Sequence, residues 1–145
     1  MLELMKMDEE NLKLVLKGFC EYYNMADGCS WTELKAWKYI DQRVTIKDSF
    51  SFILKEDGIA KGFELGHFHT YDDGITFDID EIVIFREYQD KGLGGFFIDE
   101  LCKMAKENGA FLVQLESVND YRHLKFYKSH GLMACNNLIA MSKLL

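Results

Sequence analysis

Apolar and polar positions along the chain follow two periods. From Asp8, which can cap a helix running to about Tyr23, the residues Leu12, Val15, Leu16, Phe19 and Tyr23 recur at three- and four-residue intervals, one helical face. Asn24 to Cys29 breaks the pattern with Asp27-Gly28, and Ser30 is placed to cap a second helix carrying Trp31, Leu34, Trp37 and Ile40. The period then shortens. Phe50 to Leu54 and Ala60 to Phe68 read as strands joined across Glu56-Asp57-Gly58, a hairpin turn, and after Tyr71-Asp72-Asp73-Gly74 a third strand runs from Ile75 to Phe85. Helical spacing returns between about Gly95 and Lys106, with Phe97, Leu101, Met104 and Ala105 on one side and Asn108-Gly109 as the stop. Phe111 to Leu115 reads as a strand, Tyr121 to Ser129 as a helix ended by Gly131, and Leu132 to Leu144 as a final strand region. The predicted order is α-α-β-β-β-α-β-α-β. Hairpins that continue through helical crossovers imply an α/β fold with a mixed sheet and helices on its faces.

Composition narrows the class without naming the chemistry. At 145 residues the chain is expected to form one domain, residues 1–145, and 48% hydrophobic residues exclude disorder as its main state. The net charge of −7 argues against binding to nucleic acid or an anionic membrane, both of which require basic side chains on phosphates. The N-terminus lacks the pattern of a signal peptide, and no apolar run approaches the roughly 18 residues that span a bilayer, so a cytoplasmic protein is expected. Cys20, Cys29, Cys102 and Cys135 show no metal-site spacing and read as small buried hydrophobes in a reducing compartment. There is no proline anywhere, so every turn and strand exit is set by other means.

Two stretches carry candidate chemistry. Gln89-Asp90-Lys91-Gly92-Leu93-Gly94-Gly95 lies between a strand and a helix, where glycines let backbone N–H groups turn inward and the helix start adds unpaired donors, a setting for phosphate or pyrophosphate. It is neither a P-loop nor the dinucleotide G-x-G-x-x-G. The second stretch is Phe126-Tyr127-Lys128-Ser129-His130-Gly131-Leu132, which closes the last helix. In a parallel pair both stretches follow strand C-terminal ends and face one cleft. His67 and His69 share a strand face, but no third ligand follows at a telling spacing, so no metal is expected; His123 and His130 read as solvent-side helix residues.

Together these motifs resemble the GCN5-related N-acetyltransferase (GNAT) family. Its loop pattern Q/R-x-x-G-x-G/A is matched by Gln89 to Gly94, and the end of its later motif by Phe126-Tyr127 with Lys128, Gly131 and Leu132. The family's asparagine falls on Asp120, with Asn119 one residue earlier, and its usual proline before the loop is Arg86 here. The resemblance implies a mostly antiparallel sheet with one splayed parallel strand pair. Acetyl-CoA is expected in that wedge, its pyrophosphate on the amides of Gln89, Asp90, Lys91, Gly92, Leu93, Gly94 and Gly95. Its pantetheine is expected along the backbone of Ile82, Val83 and Ile84, with a further contact from Asn119 or Asp120. Acetyl transfer to a primary amine is implied to be direct.

Tyr127 is the candidate to protonate the departing thiolate, since a phenol donates while staying neutral at pH 7. Glu81 is the candidate base. Alternation places Phe77, Ile79, Glu81, Val83 and Phe85 on one face, with Glu81 the only polar member and expected to be partly desolvated. A solvated or ion-paired strand glutamate is the alternative. Two other functions remain open: a non-catalytic CoA- or nucleotide-binding module, and a partner-binding protein whose last segment, Leu132 to Leu145, builds a homodimer. The resemblance implies that the acceptor meets roughly Tyr22 to Trp37, with Tyr23, Asp27 and Trp31 as exposed candidates, and the region after Gly131; acidic and aromatic residues there suit a cationic amine.

Overall fold

A computed structural model describes residues 1–145. Its five strands lie in one sheet in sequence order: β1 (Leu2–Lys6), β2 (Phe52–Glu56), β3 (Ile59–Tyr71), β4 (Gly74–Ile84) and β5 (Ala110–Leu115). Every pairing is antiparallel except β4 with β5, which is parallel. Helices α1 (Leu16–Ala26) and α2 (Glu33–Val44) lie between β1 and β2 in sequence, α3 (Leu93–Glu107) forms the crossover between β4 and β5, and α4 (Tyr121–Ser129) follows β5. This is the mixed α/β sheet expected from the sequence. The β2–β3 hairpin turns at Asp57 and Gly58, both at positive φ, the Asp-Gly chemistry of a two-residue turn.

The sheet separates two cores. On one face Phe19, Ala36 and Ile40 of the first two helices meet Ile53, Phe63, Leu65, Val83 and Phe85; on the other, Phe97, Leu101 and Ala105 of α3 meet Phe52, Leu54, Phe77 and Ile79. Hence the expected row from Phe77 to Phe85 does not hold. Leu65 pairs with Glu81 but Gly66 with Ile79, so Asp80 is an extra residue in β4. This bulge shifts the alternation by one, putting Phe77 and Ile79 against α3 while Glu81, Val83 and Phe85 face α1 and α2.

Other departures are local. The N-terminal segment is a strand, β1, paired with β2, and Asp8 does not cap a long helix: its Oδ1 accepts from the amides of Glu10 and Asn11 at the entry to a 3-10 turn over Asn11–Val15 that precedes α1. Thr32, not Ser30, caps α2: its Oγ1 accepts from the Lys35 amide at 3.2 Å. The inner face of α2 is Ala36, Tyr39, Ile40 and Val44, while Leu34 and Trp37 are exposed. Helix α3 begins at Leu93, inside the glycine loop, and Leu132 to Leu144 forms no strand. None of the cysteines is buried; Cys29 and Cys135 are exposed.

Candidate active site

The loop after β4 is shaped to receive an anion. Asp90 and Gly92 both have positive φ, and alternation of such residues with right-handed ones curls the chain so that its N–H groups converge. None of the backbone N–H groups from Asp90 through Gly95 has a protein hydrogen-bond partner; the first to bond is Phe96, which donates to the Gly92 carbonyl at 3.1 Å. Six successive donors are therefore presented at the start of a fifteen-residue helix, whose dipole adds to their field. A side chain at Gly92 would strain its φ of +80°.

Without proline, the strand exit is fixed by four contacts. The Phe85 amide donates to the Lys61 carbonyl (2.9 Å), the Tyr88 amide to the Phe85 carbonyl (2.8 Å) and Gln89 Nε2 to the Ile84 carbonyl (2.9 Å), while Lys61 Nζ lies 3.7 Å from the Tyr88 ring centroid. Gln89 thus ties the loop to the strand.

Beside the loop, β4 and β5 part. Their ladder runs from Ile75–Ala110 to Ile79–Leu115 and stops where the Asp80 bulge begins. The Phe85 bond to Lys61 sets the alternation beyond it: Val83 directs its N–H and C=O toward β3, and Ile82 and Ile84 direct theirs into the gap. With the Ile84 carbonyl engaged by Gln89, the N–H and C=O of Ile82 and the N–H of Ile84 line the wedge.

Glu81 stands at the start of this gap on the α1–α2 face. The Tyr39 hydroxyl donates to its Oε1 at 2.6 Å, and the Tyr23 hydroxyl donates to its Oε2. Burial pushes both phenols above their ordinary pKa, and the hydrogen-bonded Glu81 carboxylate pushes the same way, so both are neutral donors. Tyr127 of α4 is half-buried and its hydroxyl bonds to no protein group; burial raises its pKa, followed by the charges of nearby Tyr22 and Glu81. The fold therefore brings Glu81 and Tyr127, more than forty residues apart, within electrostatic reach.

Asp120 is the N-cap of α4: its Oδ1 accepts from the His123 amide (2.8 Å), which with the His123 ring holds its carboxyl below the usual range. Asn119 is exposed and its side chain makes no hydrogen bond within the protein. Tyr23 and Trp31 are not exposed as expected. Both pack around Phe19, at centroid distances of 4.8 and 4.9 Å, and only Asp27 is open to solvent. An open cleft of about 350 Å³ between α1 and the β4 exit is lined by Gly18, Glu21, Tyr22, Phe85, Arg86 and Glu87, together with Met25.

Two participants were missed in the sequence. Tyr39 was readable only by choosing the other face of α2, the one marked by Ala36, Ile40 and Val44. Arg122 has no signal in the motifs; it extends from α4 to within 3.8 Å of Asp90, putting a cation at the loop's mouth.

The model of the acetyltransferase (GNAT) family matches residues 16–132. A search of curated proteins gives no match. Among solved structures, a possible acetyltransferase from Clostridium difficile 630 superposes with a TM-score of 0.84 at 11% identity, covering 99% of this chain and 98% of that one. A predicted acetyltransferase from Clostridium acetobutylicum, solved with acetyl-CoA, gives 0.74 at 14% identity, with 98% and 96% covered. An aminoglycoside acetyltransferase from an uncultured soil metagenomic sample, in complex with sisomicin, gives 0.75 at 15% identity, with 99% and 96% covered.

Proposed function

The chain belongs to the acetyltransferase (GNAT) family, and from that premise we propose that residues 1–145 form one domain that transfers an acetyl group directly from acetyl-CoA to a primary amine of a small molecule or peptide. The observation that carries this reading is the run of six unpartnered amides, Asp90 to Gly95, at the mouth of a wedge whose wall has unpaired strand groups. The pyrophosphate takes those amides, with Lys91 and Arg122 adding positive charge. The pantetheine amides pair with Ile82 and Ile84, and Asn119 supplies the further contact because Asp120 is committed to capping α4.

In the transfer step the amine nitrogen bonds to the thioester carbon, its excess proton passes to Glu81 directly or through water, and the C–S bond breaks. The departing thiolate takes the Tyr127 proton, which solvent restores. Tyr23 and Tyr39 fix the Glu81 carboxylate in place while leaving lone pairs on each oxygen to accept a proton. The cleft beside Tyr22 carries Glu21 and Glu87 against a single Arg86, which suits a cationic acceptor. The net charge of −7 supports a protein that binds neither nucleic acid nor an anionic membrane surface, and no helix is long and apolar enough to cross a bilayer. The same reading takes the protein to be cytoplasmic and homodimeric.

The test is release of free CoA thiol from acetyl-CoA on adding amines of different classes. Amine-dependent release is expected, and Glu81→Gln should lower kcat roughly 100-fold, the scale of one general base. Tight acetyl-CoA binding with no turnover on any amine would mark a non-catalytic CoA-binding module instead.

A further inference from the structure

We propose that the outer half of the β3–β4 hairpin holds a divalent late transition metal on His67 and His69, with Asp78 orienting the His69 ring and the Asp80 carboxylate facing that of His67. The acetyl-transfer reading uses none of these side chains. His67 and His69 project from one face of β3, and their Nε2 atoms approach to 2.9 Å with the rings nearly perpendicular, at 80°. Two nitrogens each about 2.0–2.1 Å from one metal stand about 2.9 Å apart at the right angle of a tetragonal copper or nickel site and about 3.3 Å apart at the tetrahedral angle of zinc, so zinc needs the rings to part by roughly a few tenths of an ångström. The neighbouring strand supplies what the sequence spacing could not show. Asp78 Oδ2 lies 2.5 Å from His69 Nδ1, and Asp80 Oδ2 lies 3.4 Å from His67 Nδ1. Asp78 is held in turn by Gln114, whose Nε2 donates to its Oδ1 at 3.2 Å.

The carboxylates favour one tautomer of each ring. A carboxylate beside Nδ1 draws the single imidazole proton there and leaves a lone pair on Nε2, the arrangement found behind metal-bound histidines. With both rings so disposed, two lone pairs face each other at hydrogen-bond distance, which is repulsive unless a proton or a metal ion joins them. Letting His67 Nε2 donate to His69 instead leaves His67 Nδ1 as a bare lone pair, and that atom is buried without a hydrogen-bond partner and facing the Asp80 carboxylate. A cation on the Nε2 pair resolves both conflicts and offsets two carboxylates that have no Lys or Arg within 4 Å. The half-exposed His69 ring leaves room for water to complete the coordination. Imidazole nitrogens favour zinc, copper or nickel over magnesium or calcium.

The experiment is a titration of the full chain with Zn²⁺ against a chromogenic chelator, in a Cys29→Ser, Cys135→Ser background because those exposed thiols also bind zinc. One equivalent should bind. His69→Gln should abolish that binding, and Asp78→Asn should weaken it roughly 10- to 100-fold, as loss of an orienting carboxylate does. His123→Gln should leave it intact. Saturating Zn²⁺ should raise the thermal midpoint of the parent and not of His69→Gln, whose half-exposed site tolerates the change. Absence of a one-equivalent site, or equal binding by His69→Gln, overturns the proposal. It is independent of acetyl transfer, since both readouts are taken without acetyl-CoA.

Discussion

Four tyrosines gather near Glu81, and their hydroxyls are not equivalent. Those of Tyr23 and Tyr39 are spent on the carboxylate, whereas Tyr22 and Tyr127 make no hydrogen bond within the protein. Burial raises the pKa of both free phenols, with nearby Asp27 for Tyr22 and Tyr22 itself for Tyr127 as the next causes. Raised phenols are protonated at neutral pH, so Tyr127 has a proton to give there. If it supplies the thiolate's proton, Tyr127→Phe lowers kcat roughly 100-fold while the dissociation constant for acetyl-CoA, measured by calorimetry, stays unchanged. Tyr22→Phe is the matched control and retains turnover. A Tyr22→Phe enzyme as slow as Tyr127→Phe would move the proton donor to α1.

At the scale of elements, β3 carries an unusual load. Glu64 is fully buried, pairs across β3 to Phe52 on one side and Ile82 on the other, and neither carboxyl oxygen has a hydrogen-bond partner. Burial holds its pKa well above the ordinary value, with the Asp80 charge pushing the same way; the Phe52 amide opposes the shift without reaching hydrogen-bond geometry. Because the folded pKa is raised, the stability linked to this group is fully present below the unfolded carboxyl value of about 4.3 and is lost as pH rises above it. Urea unfolding at pH 5 and pH 7 should show the wild type losing up to about 1.4 kcal/mol per pH unit more than Glu64→Gln over that window. Parallel behaviour of the two proteins would mean that Glu64 ionises in the folded state without penalty. The same strands show what was legible in advance. The Asp57-Gly58 turn, the glycine loop and α4 could be read because turn chemistry and helical spacing are local. The bulge at Asp80 could not, since one inserted residue leaves the alternation on either side of it intact and changes only which face is which. That single residue decided that Glu81 looks toward α1 and α2, and so toward the two tyrosines. The strand β1 was hidden by its five-residue length and by Glu3 and Lys6, and the inner face of α2 by the pull of Leu34 and Trp37, which the fold leaves in solvent.

Across the whole molecule, two unmet needs are complementary. Strand β5 has a partner along one edge only, with Phe111 and Leu112 exposed, and such an edge offers a row of unpaired backbone groups that only another extended segment can satisfy. The residues after Leu132 carry Met133, Leu138, Ile139 and Met141, each more than 70% exposed and in no strand. In a two-fold pair each copy can lay this segment along the partner's β5, so that both needs are met twice by one symmetric contact. The net charge of −7 opposes the approach of like copies, and salt screens that repulsion, so association should strengthen with ionic strength as well as with protein concentration. Light scattering should therefore find a mass moving from 16.9 kDa toward twice that value as either is raised. The paired change Ile139→Glu with Met141→Glu, at side chains that pack on nothing within their own copy, should hold the mass at one chain without altering the circular dichroism. A monomer under every condition removes the homodimer, and a dimer that survives both glutamates puts its interface on another face of the sheet.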